Sequence, residues 1–212
     1  MRKNQGGNFA FIDNQNLNLG IQKNGWKMDW RRFRAFLRKE YGVDKAYMFI
    51  GYMPENEDLY IQMHDSGYLV VLKPTLEMFK LPVKEAPVEQ SSGNNYKTFG
   101  EMAAEDTAPA EGQPVSSDNH QAQRTVKGNV DVELVLWAVK EISKYKKAVI
   151  ISGDGDFFSL VEYLKEQGKL LNIMVPNRQY STLLRQFDDQ IVRLDQKRRQ
   201  LAYVPHRKPV KK

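Results

Sequence analysis

The run Val149-Ile150-Ile151-Ser152-Gly153-Asp154-Gly155-Asp156-Phe157 constrains this chain more than any other. An apolar, β-branched stretch ends abruptly in two carboxylates separated by one glycine, and a helical pattern follows. In a parallel α/β sheet the two aspartates then lie just beyond the carboxyl end of a strand, where such folds place ligands. Phe9-Ala10-Phe11-Ile12 is a second strand-like run, and it too ends in an acid, Asp13. Asp131 opens the amphipathic segment that follows Gly128-Asn129. Four acids at element ends suggest one carboxylate cluster.

The remaining pattern alternates between the two periodicities. Strands are expected at Phe9–Ile12, Ala46–Ile50, Tyr68–Leu72, Ala148–Ile151 and Leu170–Val175, with a last edge strand at Ile191–Leu194. Between them, helices are expected over Asp29–Tyr41, Glu55–Ser66, Asp131–Tyr145, Phe158–Gln167 and Thr182–Phe187. Gly67 and Gly168 mark helix stops, and Pro74 a strand stop. Strands alternating with helices imply a parallel sheet with right-handed crossovers. If the first and fourth strands are neighbours, chain order reverses between them. Asp13, Asp154 and Asp156 then lie at the topological switch point.

Residues 82–126 interrupt this order. They are rich in Pro, Ser, Asn, Gln, Gly and Glu, lack hydrophobic periodicity, and read as a disordered insertion. Charge divides along the same line: the insertion carries −4, while the rest of the chain carries +10, for a net +6. A basic body with an acidic cluster suits a polyanionic partner, cations holding the polyanion and carboxylates holding a metal. Residues 195–212 read as a basic tail with seven Lys and Arg and little to anchor it.

The chain has no cysteine, which excludes a disulfide, a thiolate zinc site and a cysteine nucleophile. Its three histidines, His64, His120 and His206, are scattered. No apolar run approaches the roughly 18 residues of a membrane helix, and the N-terminus lacks a signal-peptide pattern. A cytoplasmic protein is expected, without a membrane partner; a homo-oligomer stays open.

Each acid has a local explanation. Asp154 suits a helix cap, Asp13 an Asx-turn and Asp131 the first turn of a helix. Their joint placement asks for more. Gathered carboxylates raise one another's pKa unless a cation compensates. Oxygen-only ligation favours Mg²⁺ or Mn²⁺, which keeps several waters and prefers a few carboxylates plus substrate phosphate. That combination points to a metal-dependent enzyme acting on phosphates.

Three segments carry a resemblance: Phe11-Ile12-Asp13-Asn14-Gln15-Asn16-Leu17, Lys127-Gly128-Asn129-Val130-Asp131-Val132 and Ser152-Gly153-Asp154-Gly155-Asp156-Phe157. Together they resemble the motifs of the NYN domain, within the PIN-like ribonuclease superfamily related to the FLAP nucleases. The resemblance spans residues 8–194 apart from the insertion. It implies a three-layer α/β/α sandwich around a parallel sheet in the order 3-2-1-4-5. It also implies Mg²⁺- or Mn²⁺-dependent cleavage of single-stranded or structured RNA by an endonuclease. Carried over by motif, Asp13, Asp131, Asp154 and Asp156 are the metal-holding, catalytic acids. Asn16 orients the first acid or a metal-bound water, Ser152 hydrogen-bonds near the metal, and Lys127 meets substrate phosphate. Asn14 stands where many members have glycine, and Trp137 where many carry another aspartate.

Trp30, Phe33, Phe36 and Trp137 fit core positions in helical patterns. Trp26 and Tyr180, in expected loops, are candidates to stack on unpaired bases. Two other functions compete. One is an RNA-binding or scaffold module that keeps the fold without catalysis. The other is a phosphatase, because Gly153-Asp154-Gly155-Asp156 resembles the last acidic motif of the haloacid-dehalogenase-like family. That family needs an acid two residues after its nucleophile, where this chain has Gln15.

Overall fold

The computed structural model describes residues 6–73 and 130–205. The expected insertion at 82–126, Lys127 and the last residues of the basic tail lie outside the described residues. Within them, six strands form one all-parallel sheet in the order β3-β2-β1-β4-β5-β6. The strands are β1 (Asn8–Asp13), β2 (Val43–Gly51), β3 (Leu69–Lys73), β4 (Ala148–Ile151), β5 (Leu170–Val175) and β6 (Ile191–Arg193). The expected order holds, extended by β6 pairing Ile191 with Ile173.

Period-two alternation sorts the strand residues onto two faces. Ala10, Ile12, Val149 and Ile151 enter one core, with Leu17 and Ile21 of α1 (Asn14–Lys23), Phe33 and Leu37 of α2 (Trp30–Tyr41), and Met63 of α3 (Glu57–Asp65). Phe9, Phe11, Ala148 and Ile150 enter the other. There they meet Leu134 and Ala138 of α4 (Val130–Lys140) and Leu160, Val161 and Leu164 of α5 (Phe158–Glu166). Leu184 and Phe187 complete this layer from a 3₁₀ segment, Thr182–Gln190. The result is an α/β/α sandwich.

Local signals set most boundaries. The Asp29 side chain caps α2 by accepting from the Arg32 amide at 3.1 Å. Gly67 and Gly168 stop α3 and α5 in left-handed conformations, at φ of 87° and 63°. The helix expected over Asp131–Tyr145 ends sooner, at Lys140. Tyr145 turns into the core against Phe9 and Phe11, and its hydroxyl donates to the Ala138 carbonyl at 2.8 Å. That bond satisfies a carbonyl the helix end leaves open.

Two elements escaped the sequence pattern. Helix α1 is rich in asparagine and contains Gly20, so its intrinsic propensity is poor. Burial of Leu17 and Ile21 and a cap from Asp13 hold it in place. Gly20 is required by packing: a Cβ there would lie 2.5 Å from Pro176 Cγ. The second is the segment after β6. The expected basic tail begins instead as a 3₁₀ turn, Leu194–Lys197, followed by α6 (Arg198–Leu201). Leu201 is fully buried in the core beside α2. Its carbonyl accepts from the Asp29 amide at 2.8 Å, and the Tyr203 amide donates to the Lys27 carbonyl at 2.9 Å. One buried leucine in a cationic stretch is too sparse to show as periodicity.

Leu201→Ala therefore tests whether this last turn belongs to the cooperative core. The expected loss is about 2–4 kcal/mol in urea unfolding, as for other buried leucines. An unchanged midpoint would place α6 outside that core.

Candidate active site

β1 and β4 are central neighbours, pairing Phe9 to Ile12 with Ala148 to Ile151. From β1 the chain steps outward to β2 and β3; from β4 it steps the other way to β5 and β6. The reversal opens a switch point at the carboxyl ends of this pair. Asp13 ends β1, and Ser152-Gly153-Asp154 follows β4.

Asp13 is only 6% exposed and both its oxygens are engaged. Oδ1 accepts from the Asn16 amide at 3.1 Å, and Oδ2 accepts from the Ser152 hydroxyl at 3.0 Å. The Asp154 amide in turn donates to Ser152 Oγ at 3.2 Å. Burial pushes the Asp13 carboxyl up to about 6. The two hydrogen bonds oppose that rise, while the negative charges of Asp131 and Asp154 add to it. Two expected acids, one on α4 and one in the β4 loop, thus act on a third at the end of β1.

Asp156 stands apart. It is exposed, in a 3₁₀ turn over Gly155–Phe157 whose cap is Asp154; the Asp156 amide donates to Asp154 Oδ1 at 3.1 Å. Its charge is not among those acting on Asp13. Asn16 makes two contacts at the site. Its side-chain oxygen accepts from the Gly153 amide at 2.8 Å, so it fastens the β4 loop to α1. The ordering of Asp13 falls to the Asn16 backbone. Lys127 lies outside the described residues.

Chemically, the site offers hard oxygen donors of one sign in a partly desolvated setting. Among the described residues, no three His, Asp or Glu side chains are drawn together closely enough to ligate one ion. Such an open set fits an ion that keeps waters and takes substrate oxygens, rather than one enclosed by protein.

A second loop, after β5, closes against this one. The Ser181 amide donates to the Gly153 carbonyl at 2.9 Å. A Cβ on Gly153 would lie 3.2 Å from Tyr180 Cβ, and one on Gly155 would collide with the Ser181 hydroxyl. Gly153 and Gly155, on either side of Asp154, therefore lie tight against the neighbouring loop. Asn177, buried at 5% exposure, ties that loop to α1 by donating to the Gly20 carbonyl at 2.9 Å. Sequence reasoning missed Asn177, whose only signal is its place after a strand end. Trp26, a candidate for base stacking from its place in a loop, is 6% exposed and packs in the core with Leu201. Trp30 and Trp137 pack as expected, partly buried against their respective cores.

The described residues include no helix long and apolar enough to cross a membrane. The chain is similar to the low amplitude and bright protein LabA of Synechococcus elongatus, with 25% identity over 192 residues, 87% of this chain and 82% of that one. Its fold is similar to a crystal structure of a protein of unknown function from Vibrio parahaemolyticus. That match has a TM-score of 0.56 at 18% identity, over 96% of this chain and 100% of the other. Residues 9–195, from the first residue of β1 that pairs with β4 to the turn beyond β6, match the NYN domain, and the chain belongs to that family.

Proposed function

We propose that this chain is a metal-dependent endoribonuclease that hydrolyses RNA phosphodiesters at the β1–β4 junction, using Mg²⁺ or Mn²⁺. Membership of the NYN family supports a nuclease-type, RNA-related role. The observation that carries the reading is Asp13, a buried carboxyl pushed up to about 6 with two further acids acting on it. A protein gains nothing in stability from such an arrangement unless a cation compensates it.

Asp13, Asp131 and Asp154 would hold the ion together with its waters and substrate oxygens, not all three in direct contact with it, and Asp156 would be an outer acid. When bound, a hard divalent ion supplies positive charge for the developing phosphorane and acidifies water. The chain's own residues prepare the place. Ser152 and the Asn16 amide fix the Asp13 carboxylate in one orientation. The Asn16 side chain on α1 and the Ser181 amide after β5 brace Gly153 from two sides, which holds Asp154 at the strand end. Lys127 is assigned to substrate phosphate by its motif.

Labelled RNA with Mn²⁺, Mg²⁺ or EDTA tests the reaction directly, with a phosphomonoester as control. Cleavage of RNA alone, abolished by EDTA, is expected. Asp13→Asn and Asp154→Asn should each slow it by roughly 100-fold or more, and Asp156→Asn by less, in the roughly 10- to 100-fold range of outer positions. RNA binding without metal-dependent cleavage would establish the non-catalytic module instead.

The raised Asp13 carboxyl also makes a stability prediction. In EDTA the native chain keeps this proton up to about pH 6, whereas the unfolded chain releases it near 4. The native state therefore binds the extra proton, and stability falls as pH rises from 4 to 6, by on the order of 3 kcal/mol. Asp13→Asn should remove that fall and leave the metal-free variant more stable than the parent at pH 7. Added Mg²⁺ should raise the parent's melting temperature and not the variant's. Identical pH profiles for the two proteins in urea would contradict this account of Asp13.

A further inference from the structure

The loop after β5 presents an aromatic ring and cations beside the acids. Tyr180 is half-buried: it packs against the α4–α5 core on one side while remaining partly open. Its Cβ sits against Gly153, one residue from Asp154. Its hydroxyl donates to Asp188 Oδ1 at 3.2 Å, which fixes the ring. Burial raises the Tyr180 hydroxyl, Asp188 adds to the rise, and the nearby Arg185 and Arg193 oppose it.

The two arginines differ in what they have left to offer. Arg193 is clamped by Asp195 through two bonds, at 3.2 and 2.6 Å. Arg185 is exposed and forms no ion pair among the described residues, and the same holds for Arg178 in the loop itself. A braced ring flanked by exposed guanidinium groups suits one ligand chemistry, an unpaired base with its flanking phosphates.

We infer that this loop is the single-strand RNA subsite, Tyr180 stacking on an unpaired base next to the acids while Arg178 and Arg185 take the adjoining phosphates. The inference rests on the RNA-directed reading of the same site. It names the substrate as single-stranded at the point of contact, since a base within a duplex has no free face for the ring.

Binding of labelled oligouridylate and of an abasic oligomer of equal length, measured by fluorescence anisotropy on the full chain in EDTA, separates the contributions. Tyr180→Leu should weaken oligouridylate binding by roughly 5- to 160-fold, the range for loss of one stacked base, and leave abasic binding unchanged. Tyr180→Phe should retain most of the affinity. The pair Arg178→Gln and Arg185→Gln should flatten the salt dependence of both ligands by about 1.4 in log–log slope, for two single-strand phosphate contacts. Wild-type binding that is unaltered in all three variants overturns this subsite alone. Failure of the wild-type chain to bind oligouridylate overturns the RNA reading as well. Equal weakening of both ligands by Tyr180→Leu shows that the ring shapes the loop and does not stack.

Discussion

The Ser152 hydroxyl donates to Asp13 across the junction of β1 and β4, and the site is organised about that bond. It joins two strands distant in sequence at the point where chain order reverses. It also orients a carboxylate that burial would otherwise leave poorly solvated. A buried charge is tolerated when it is hydrogen-bonded, and Asp13 uses both oxygens to meet that demand. Burial still outweighs those bonds, and the carboxyl remains raised. On the proposed reading, a cation at the junction would offset that imbalance.

Around this bond, α1 and the loops after β4 and β5 constrain one another through close packing. Gly20 in α1 meets Pro176, Gly153 meets Tyr180, and Gly155 meets Ser181. Amide donors to Asn16, Gly153 and Gly20 oxygens stitch the same surfaces together. Gly153 and Gly155, on either side of Asp154, thus serve packing at least as much as turning. Catalytic groups placed on loops need such bracing, because a loop alone does not hold a side chain in place.

Much of this was legible in the chain. The boundaries of β4 and β5 follow from continuous apolar runs, and the helix stops at Gly67 and Gly168 from the one residue that enters left-handed conformations freely. Helix α1 was not legible, because its asparagines and glycine argue against a helix, and only Leu17 and Ile21 packing beneath the sheet overrides them. The anchoring of α6 was hidden for a related reason: Leu201 is a single apolar residue, and its partners lie beside α2. Trp26 shows the converse error. A large aromatic in a loop gives no sign of which way it faces, and here the core receives it.

For the acids, residue order alone placed them at strand and helix ends: the apolar runs of β1 and β4 stop just before Asp13 and Ser152, and Asp131 opens a helical pattern. It also carried the family resemblance, through three motifs kept in order. Only the tertiary structure decided how these acids differ. Asp13, Asp131 and Asp154 come within electrostatic reach because β1 and β4 are neighbours with α4 packed on the same face. Asp156, two residues from Asp154 in the chain, is turned out by the 3₁₀ turn that Asp154 caps. Spacing along a strand and its loop sets which residues share a region, but burial and the partners within it depend on elements that meet only when the sheet has formed.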